Sequence, residues 1–110
     1  MSGYYDTQHL AEFGRIAEVS PELGNKFFDY YASVFVDGAL TAREKSLIAL
    51  AVAHAVQCPY CIDAYTRDCQ EKGADFEQMT EALHVAVAIR GGASLVHGMQ
   101  MREQVRRLGM

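Results

Sequence analysis

Apolar residues recur along this chain at intervals of three and four, with polar residues between them, as in helices that pack on one face. Phe27, Phe28, Tyr31 and Phe35 keep this spacing in a helix opened by Ser20-Pro21, serine as cap and proline at the first helical position. That helix is expected to stop near Gly38. Thr41-Ala42-Arg43-Glu44 reads as a capping box that starts the next helix. Gly73 suits a helix C-terminus, and Asp75 to Gln78 supplies the following N-cap with its partner. Gly91-Gly92 is expected to break that helix from a last one ending near Gly109, and another helix is expected from Gln8 to Val19. Nothing alternates with period two for long enough to be a strand. The pattern predicts an all-α, single-domain helical bundle of about six helices spanning 1–110.

Two stretches are apolar on every face: Leu47 to Ala53, and Val85 to Ile89. A helix of that kind is buried on all sides. In a chain of 110 residues this points to a homo-oligomer that supplies the cover, with the central helix of a monomeric bundle as the alternative.

Composition narrows the function classes. Half of the residues are hydrophobic, so a core is available, and the formal net charge is -4 with no basic run. Nucleic acid is therefore not an expected partner. The longest apolar run, Leu47 to Val56, is interrupted by His54 and is well short of the ~20 residues of a membrane span. Met1 to Asp6 carries neither a cationic nor an apolar leader region, so no signal peptide is expected. Three cysteines, an odd number, argue for cytoplasmic thiols with a specific task rather than a secreted disulfide scaffold.

The chemistry centres on Cys58-Pro59-Tyr60-Cys61. Proline disfavours helix in the residue before it, so Cys58 is expected to end one helix and cap the next, with Pro59 at N1 and Cys61 at N3. The free N–H groups and positive dipole end then face the sulfur of Cys58, an environment that favours thiolate. A neighbouring thiol at this spacing can resolve a sulfenic acid. Two inert buried cysteines are the bland alternative. Zinc is another, but a second ligand pair of suitable spacing is missing, so neither a metal nor a cofactor is expected. The same four residues occur in glutaredoxins, whose fold needs strands and a proline facing the motif; helical alanine-rich sequence here excludes that fold. Cys69 lies about 12 Å along the axis from Cys61 on a straight helix and reads as a small buried residue, or as a third redox or soft-metalloid ligand.

Leu47 to Ala53, the Cys58 to Cys61 motif and Glu71-Lys72-Gly73-Ala74 together resemble the core of the carboxymuconolactone decarboxylase family, and the paired cysteines resemble its alkylhydroperoxidase D-like branch. The likeness covers about 39–98 and implies an all-helical fold assembled as trimers or hexamers. A narrower likeness joins Tyr4-Tyr5-Asp6, Phe27 to Tyr31, Ala55 to Tyr65 and Ile89 to Gly98 to the peroxidase-like proteins associated with arsenosugar biosynthesis. In alkylhydroperoxidase D the second cysteine attacks peroxide and the first resolves it, so the resemblance implies attack by Cys61, while the capping argument favours Cys58. The family's proton relay uses a glutamate and a histidine; the matching positions here are Ser46 and Tyr65, and neither is a base near neutral pH.

Other groups are candidates to fill that gap. His54, one turn before Cys58, can place a ring near its sulfur or can be a core histidine bonded to a carbonyl. Glu44 belongs first to the capping box. His84 and His97 are packing residues or site residues, Asp63 complements a helix dipole, and Tyr60 and Tyr65 can donate hydrogen bonds to a thiolate or peroxide oxygen. The expected catalytic set is Cys58, Cys61, His54 and Tyr65. The expected activity is a thiol-dependent peroxidase-like cycle on a small peroxide or disulfide, with a redox partner protein. A dithiol carrier or reductase, or a trivalent-arsenical binder, is the alternative. A decarboxylase is disfavoured, because that branch works without the cysteine pair.

Overall fold

The computed structural model describes residues 5–109 and, among them, contains helices and no strand. The elements are α1 (Thr7–Ala11), a 3-10 segment (Phe13–Glu18), α2 (Pro21–Val34), α3 (Ala42–Ala55), α4 (Pro59–Glu71) and α5 (Phe76–Arg107). The leader reading, which rests on Met1 to Asp6, lies for residues 1–4 outside the described residues.

α3 packs against α4 and α5, and this trio holds the core. Leu50, at 2% exposure, meets Cys69, at 0%, and Ala74, with Leu47, Tyr65 and Met79 around them. Burying a leucine of this kind contributes about 1.5–3 kcal/mol. Ser46 is also fully enclosed; its hydroxyl donates to Asp68 Oδ2 at 2.7 Å, so no buried polar atom is stranded there. Both expected capping boxes form, Thr41 with Glu44 and Asp75 with Gln78. Gly73, at φ +85°, takes the left-handed position that closes α4.

Four expectations are corrected. Gly91-Gly92 does not break a helix: α5 runs unbroken for 32 residues. Each glycine costs about 1 kcal/mol in a helix interior, too little to stop a rod with good caps at both ends. The six helical segments arise instead because the N-terminal one divides at Glu12 into α1 and the 3-10 segment. α2 ends at Val34, short of Gly38, because Lys45 Nζ donates to the carbonyls of Val34 and Val36 at 2.8 and 2.7 Å. Ser20 holds the cap position of α2 without a side-chain bond. Gly24 lets α2 approach the 3-10 segment closely, since a Cβ there would lie 2.5 Å from that of Ala17.

The two all-apolar stretches behave differently from expectation within one chain. α3 buries Ser46, Leu50 and Ala53 but leaves Ile48, Val52 and Val56 at least half exposed. On α5, Val85, Val87 and Ile89 are also more than half exposed. The radius of gyration is 18.7 Å, against about 13 Å for a compact chain of this size.

Candidate functional site

The bend between α3 and α4 is built by paired hydrogen bonds. Cys58 N–H donates to Ala53 O at 3.0 Å and Gln57 N–H to His54 O at 3.1 Å, which satisfies two of the last carbonyls of α3. The connecting residue, Gln57, sits at φ 57°, a left-handed conformation that costs a residue with a Cβ about 1 kcal/mol. Cys58 is extended, as the following proline requires, and Pro59 occupies the first turn of α4. The Cys58 sulfur then accepts the N–H of Cys61 at 3.2 Å. One residue therefore closes α3 with its backbone and opens α4 with its side chain. Both thiols are free and partly exposed.

The pair stands in the wall of a cavity of about 340 Å³ beneath α1, with Leu10, Phe13 and Ala64 as its apolar surfaces. Burial, then the hydrogen bond to Cys58 and its charge, push the Cys61 thiol up to about 11. Cys61 thus holds its proton at neutral pH, while the N–H donor is aimed at Cys58. Tyr65 hydrogen-bonds Tyr31 hydroxyl to hydroxyl, and Phe35 stacks on its ring at 5.2 Å. Burial first, then that bond, push the Tyr65 phenol far above the ordinary tyrosine range. Tyr65 therefore keeps its proton near neutral pH and is not a base there.

α1 and Tyr5, just before it, are held over the dithiol by three contacts to α4. The Tyr5 hydroxyl donates to Asp63, which also accepts from Arg67 Nε at 2.8 Å. The bond to Asp63 pushes the Tyr5 phenol up to about 12, and the same bond holds the Asp63 carboxyl below its usual range. His9 Nδ1 lies 3.2 Å from the Tyr60 hydroxyl, and the rings of Tyr5 and Tyr60 meet edge to face at 4.8 Å.

Cys58, Cys61 and Tyr65 therefore converge on one cavity, and His54 does not join them. Its Nδ1–H donates to the Leu50 carbonyl at 2.9 Å, and it lines neither this cavity nor the second groove that Cys61 borders. A residue one turn before Cys58 lies on another face of α3 once the chain bends. Glu44 is committed to the Thr41 cap. Ser46 is sealed against Asp68; burial raises that carboxyl, but its bonds from Lys72 and Ser46 outweigh burial and hold it low. Cys69 Sγ lies 3.4 Å from Ser46 Oγ in the core, without access to the cavity. His84 and His97 sit on α5 and line neither the cavity nor the groove beside Cys61, with His97 donating to Ala93 O at 2.7 Å. His9 was not singled out by the sequence, and Tyr31 was read there only as part of a helix face. The one hint for His9 was its place a helical turn before Phe13, on the face that also carries Leu10. Among the described residues, no three metal-ligating side chains cluster, and no helix is long and apolar enough to cross a membrane.

A second groove, of about 640 Å³, opens on the other side of Cys61 and Tyr65. Its walls are the exposed stripe of α3, Ile48, Val52 and Val56, with Val34 and Leu40 opposite.

The chain as a whole is similar to known proteins. The chain is similar to uncharacterized protein 4 in the cox locus of Paracoccus denitrificans, 40% identical over 87 residues, covering 79% of this chain and 78% of that one. It is similar in structure to a protein of Methanobacterium thermoautotrophicum, at TM-score 0.75 and 32% identity, covering 79% of this chain and 98% of the other. A carboxymuconolactone decarboxylase family protein of Legionella pneumophila is similar at TM-score 0.66 and 34% identity, covering 94% and 90%. Residues 21–104, which take in all of α2 to α4 and most of α5, match the carboxymuconolactone decarboxylase family, and this chain belongs to that family.

Proposed function

We propose that the chain is a thiol-dependent, peroxidase-like oxidoreductase that cycles Cys58 and Cys61 between dithiol and disulfide. The observation that carries this reading is the Cys58 sulfur at the N-terminus of α4, accepting the Cys61 N–H in the wall of a cavity. A helix N-terminus favours negative charge on that sulfur. Cys58 is accordingly the attacking thiolate, and Cys61, which keeps its proton, resolves the sulfenic acid. This reverses the order that the family resemblance implies. A small peroxide oxidises the pair and an external dithiol, carried by a redox partner protein, resets it. The compartment must keep thiols reduced, so a cytoplasmic setting belongs to the same reading, as does the organoarsenical pathway that the sequence resembles. The test is the rate at which peroxide converts the reduced protein to a Cys58–Cys61 disulfide, read by thiol counting and mass spectrometry. A rate no greater than that of a small-molecule dithiol sinks the reading.

A dithiol carrier or reductase is the second reading, favoured by one observation: the two positions of the family's relay are taken up elsewhere, Ser46 by Asp68 and Tyr65 by Tyr31. A mixed disulfide with a partner protein, trapped by Cys61→Ser and not by Cys58→Ser, would support it. Calorimetry of the reduced protein with an arsenous compound separates the arsenical-binding reading, which requires heat and a mass shift.

A further inference from the structure

The cycle needs a group that moves protons, and Cys61 makes the need specific. Its thiol must give up a proton before its sulfur can attack Cys58. The titratable groups that line the cavity, besides the two thiols, are the phenols of Tyr31, Tyr60 and Tyr65 and the imidazole of His9. Imidazole is the side chain that exchanges protons near neutrality. His9 is exposed, so it can re-equilibrate with water. It is held at the cavity by Tyr60, which belongs to the cysteine motif itself. The titratable and charged groups that line the same cavities are Tyr60, Tyr65 and the thiols from α4, Tyr31 from α2, and Glu12, Arg15 and Glu18 from its own N-terminal segment.

We propose that His9, brought over the dithiol by α1, is the proton-transfer group of this cavity. This rests on the peroxidase-like reading above. The Cys58 thiolate bonds to one oxygen of an alkyl hydroperoxide and the O–O bond breaks. The leaving alkoxide takes a proton from the His9 imidazolium and departs as the alcohol, leaving Cys58 as sulfenic acid. His9, now neutral, takes the Cys61 proton. The Cys61 sulfur attacks the Cys58 sulfur, the S–O bond breaks, and hydroxide leaves as water with that proton. The two sulfurs are oxidised by two electrons in all, and the hydroperoxide is reduced by two. An external dithiol then restores the thiols.

The experiment uses the full chain, reduced, with tert-butyl hydroperoxide, and follows disulfide formation by rapid quenching across pH 5.5 to 8.5 on the order of the imidazole range. His9→Gln and His9→Ala are compared with the unaltered chain. General acid–base groups typically contribute about 10²–10⁴-fold, so both variants should slow disulfide formation by at least about tenfold at pH 7 and flatten its pH profile. Alkylation of Cys58 by iodoacetamide should stay unchanged, and added imidazole should restore part of the rate in His9→Ala. Unaltered rates and profiles in both variants overturn the proposal. So does a loss that imidazole does not relieve and that accompanies lower thermal stability, which would make His9 a latch only. A slow reaction in the unaltered chain instead defeats the peroxidase-like reading itself, whatever the variants do.

Discussion

At the residue scale, the two cysteines are unequal because one sulfur accepts a helix-end N–H and the other is buried beside it. Limited iodoacetamide at pH 7.5, on the order of one unit below a free thiol's pKa, should label Cys58 first, with Cys61 following only as pH approaches its raised value of about 11. Peptide mapping of the singly labelled protein checks this, and equal labelling would contradict it. The inequality was legible in advance because proline's effect on its predecessor is local. His9 was not legible. It meets Tyr60 across 51 positions of sequence, and no spacing rule reaches that far. Tyr31 with Tyr65, separated by 34 positions, was hidden in the same way.

At the element scale, the starts of α3, α4 and α5 were readable because caps and prolines act within four residues. The ends were less so. α2 is cut short by a lysine from another helix, and α5 continues through a glycine pair whose local cost its length outweighs. The box at the start of α3 sets a measurable dependence. Thr41→Ala should lower stability by about 1 kcal/mol, seen in urea unfolding at pH 7. The backbone and side-chain bonds with Thr41 hold the Glu44 carboxyl below its ordinary range. A group with a depressed folded pKa contributes above its unfolded value, about 4.3, and loses that contribution as pH falls through the folded one. The gap between Thr41→Ala and the unaltered chain should therefore narrow below pH ~4.

At the scale of the whole molecule, the excess of exposed apolar surface on α3 and α5 argues that a single chain is not the finished particle. We propose a homo-oligomer, a trimer or hexamer, in which a second copy covers the groove beside Cys61 and Tyr65. Light scattering should give a multiple of the 12.2 kDa chain mass, and Val52→Asp should reduce it. A monomer at micromolar concentration would contradict this. The docking of the N-terminal segment on α4 has its own window. Tyr5, raised to about 12, favours the closed form fully below its ordinary value near 10 and loses that preference as pH rises through 12. Asp63, held low, contributes above about 3.9 and loses its contribution as pH falls further. α1 should therefore stay docked between about pH 4 and 10, with a late tyrosine ionisation in the ultraviolet spectrum that Tyr5→Phe removes.

Cys58 joins two rods at a single atom's remove. In the proposed disulfide the Cys58 sulfur would turn toward that of Cys61, and the Cys61 amide it now accepts would need water or another partner. The redox state would thereby be carried into the main chain. The nitrogen resonances of residues 58 to 62 would report it without any label on sulfur, and a protein reading that shape could tell the spent form from the ready one.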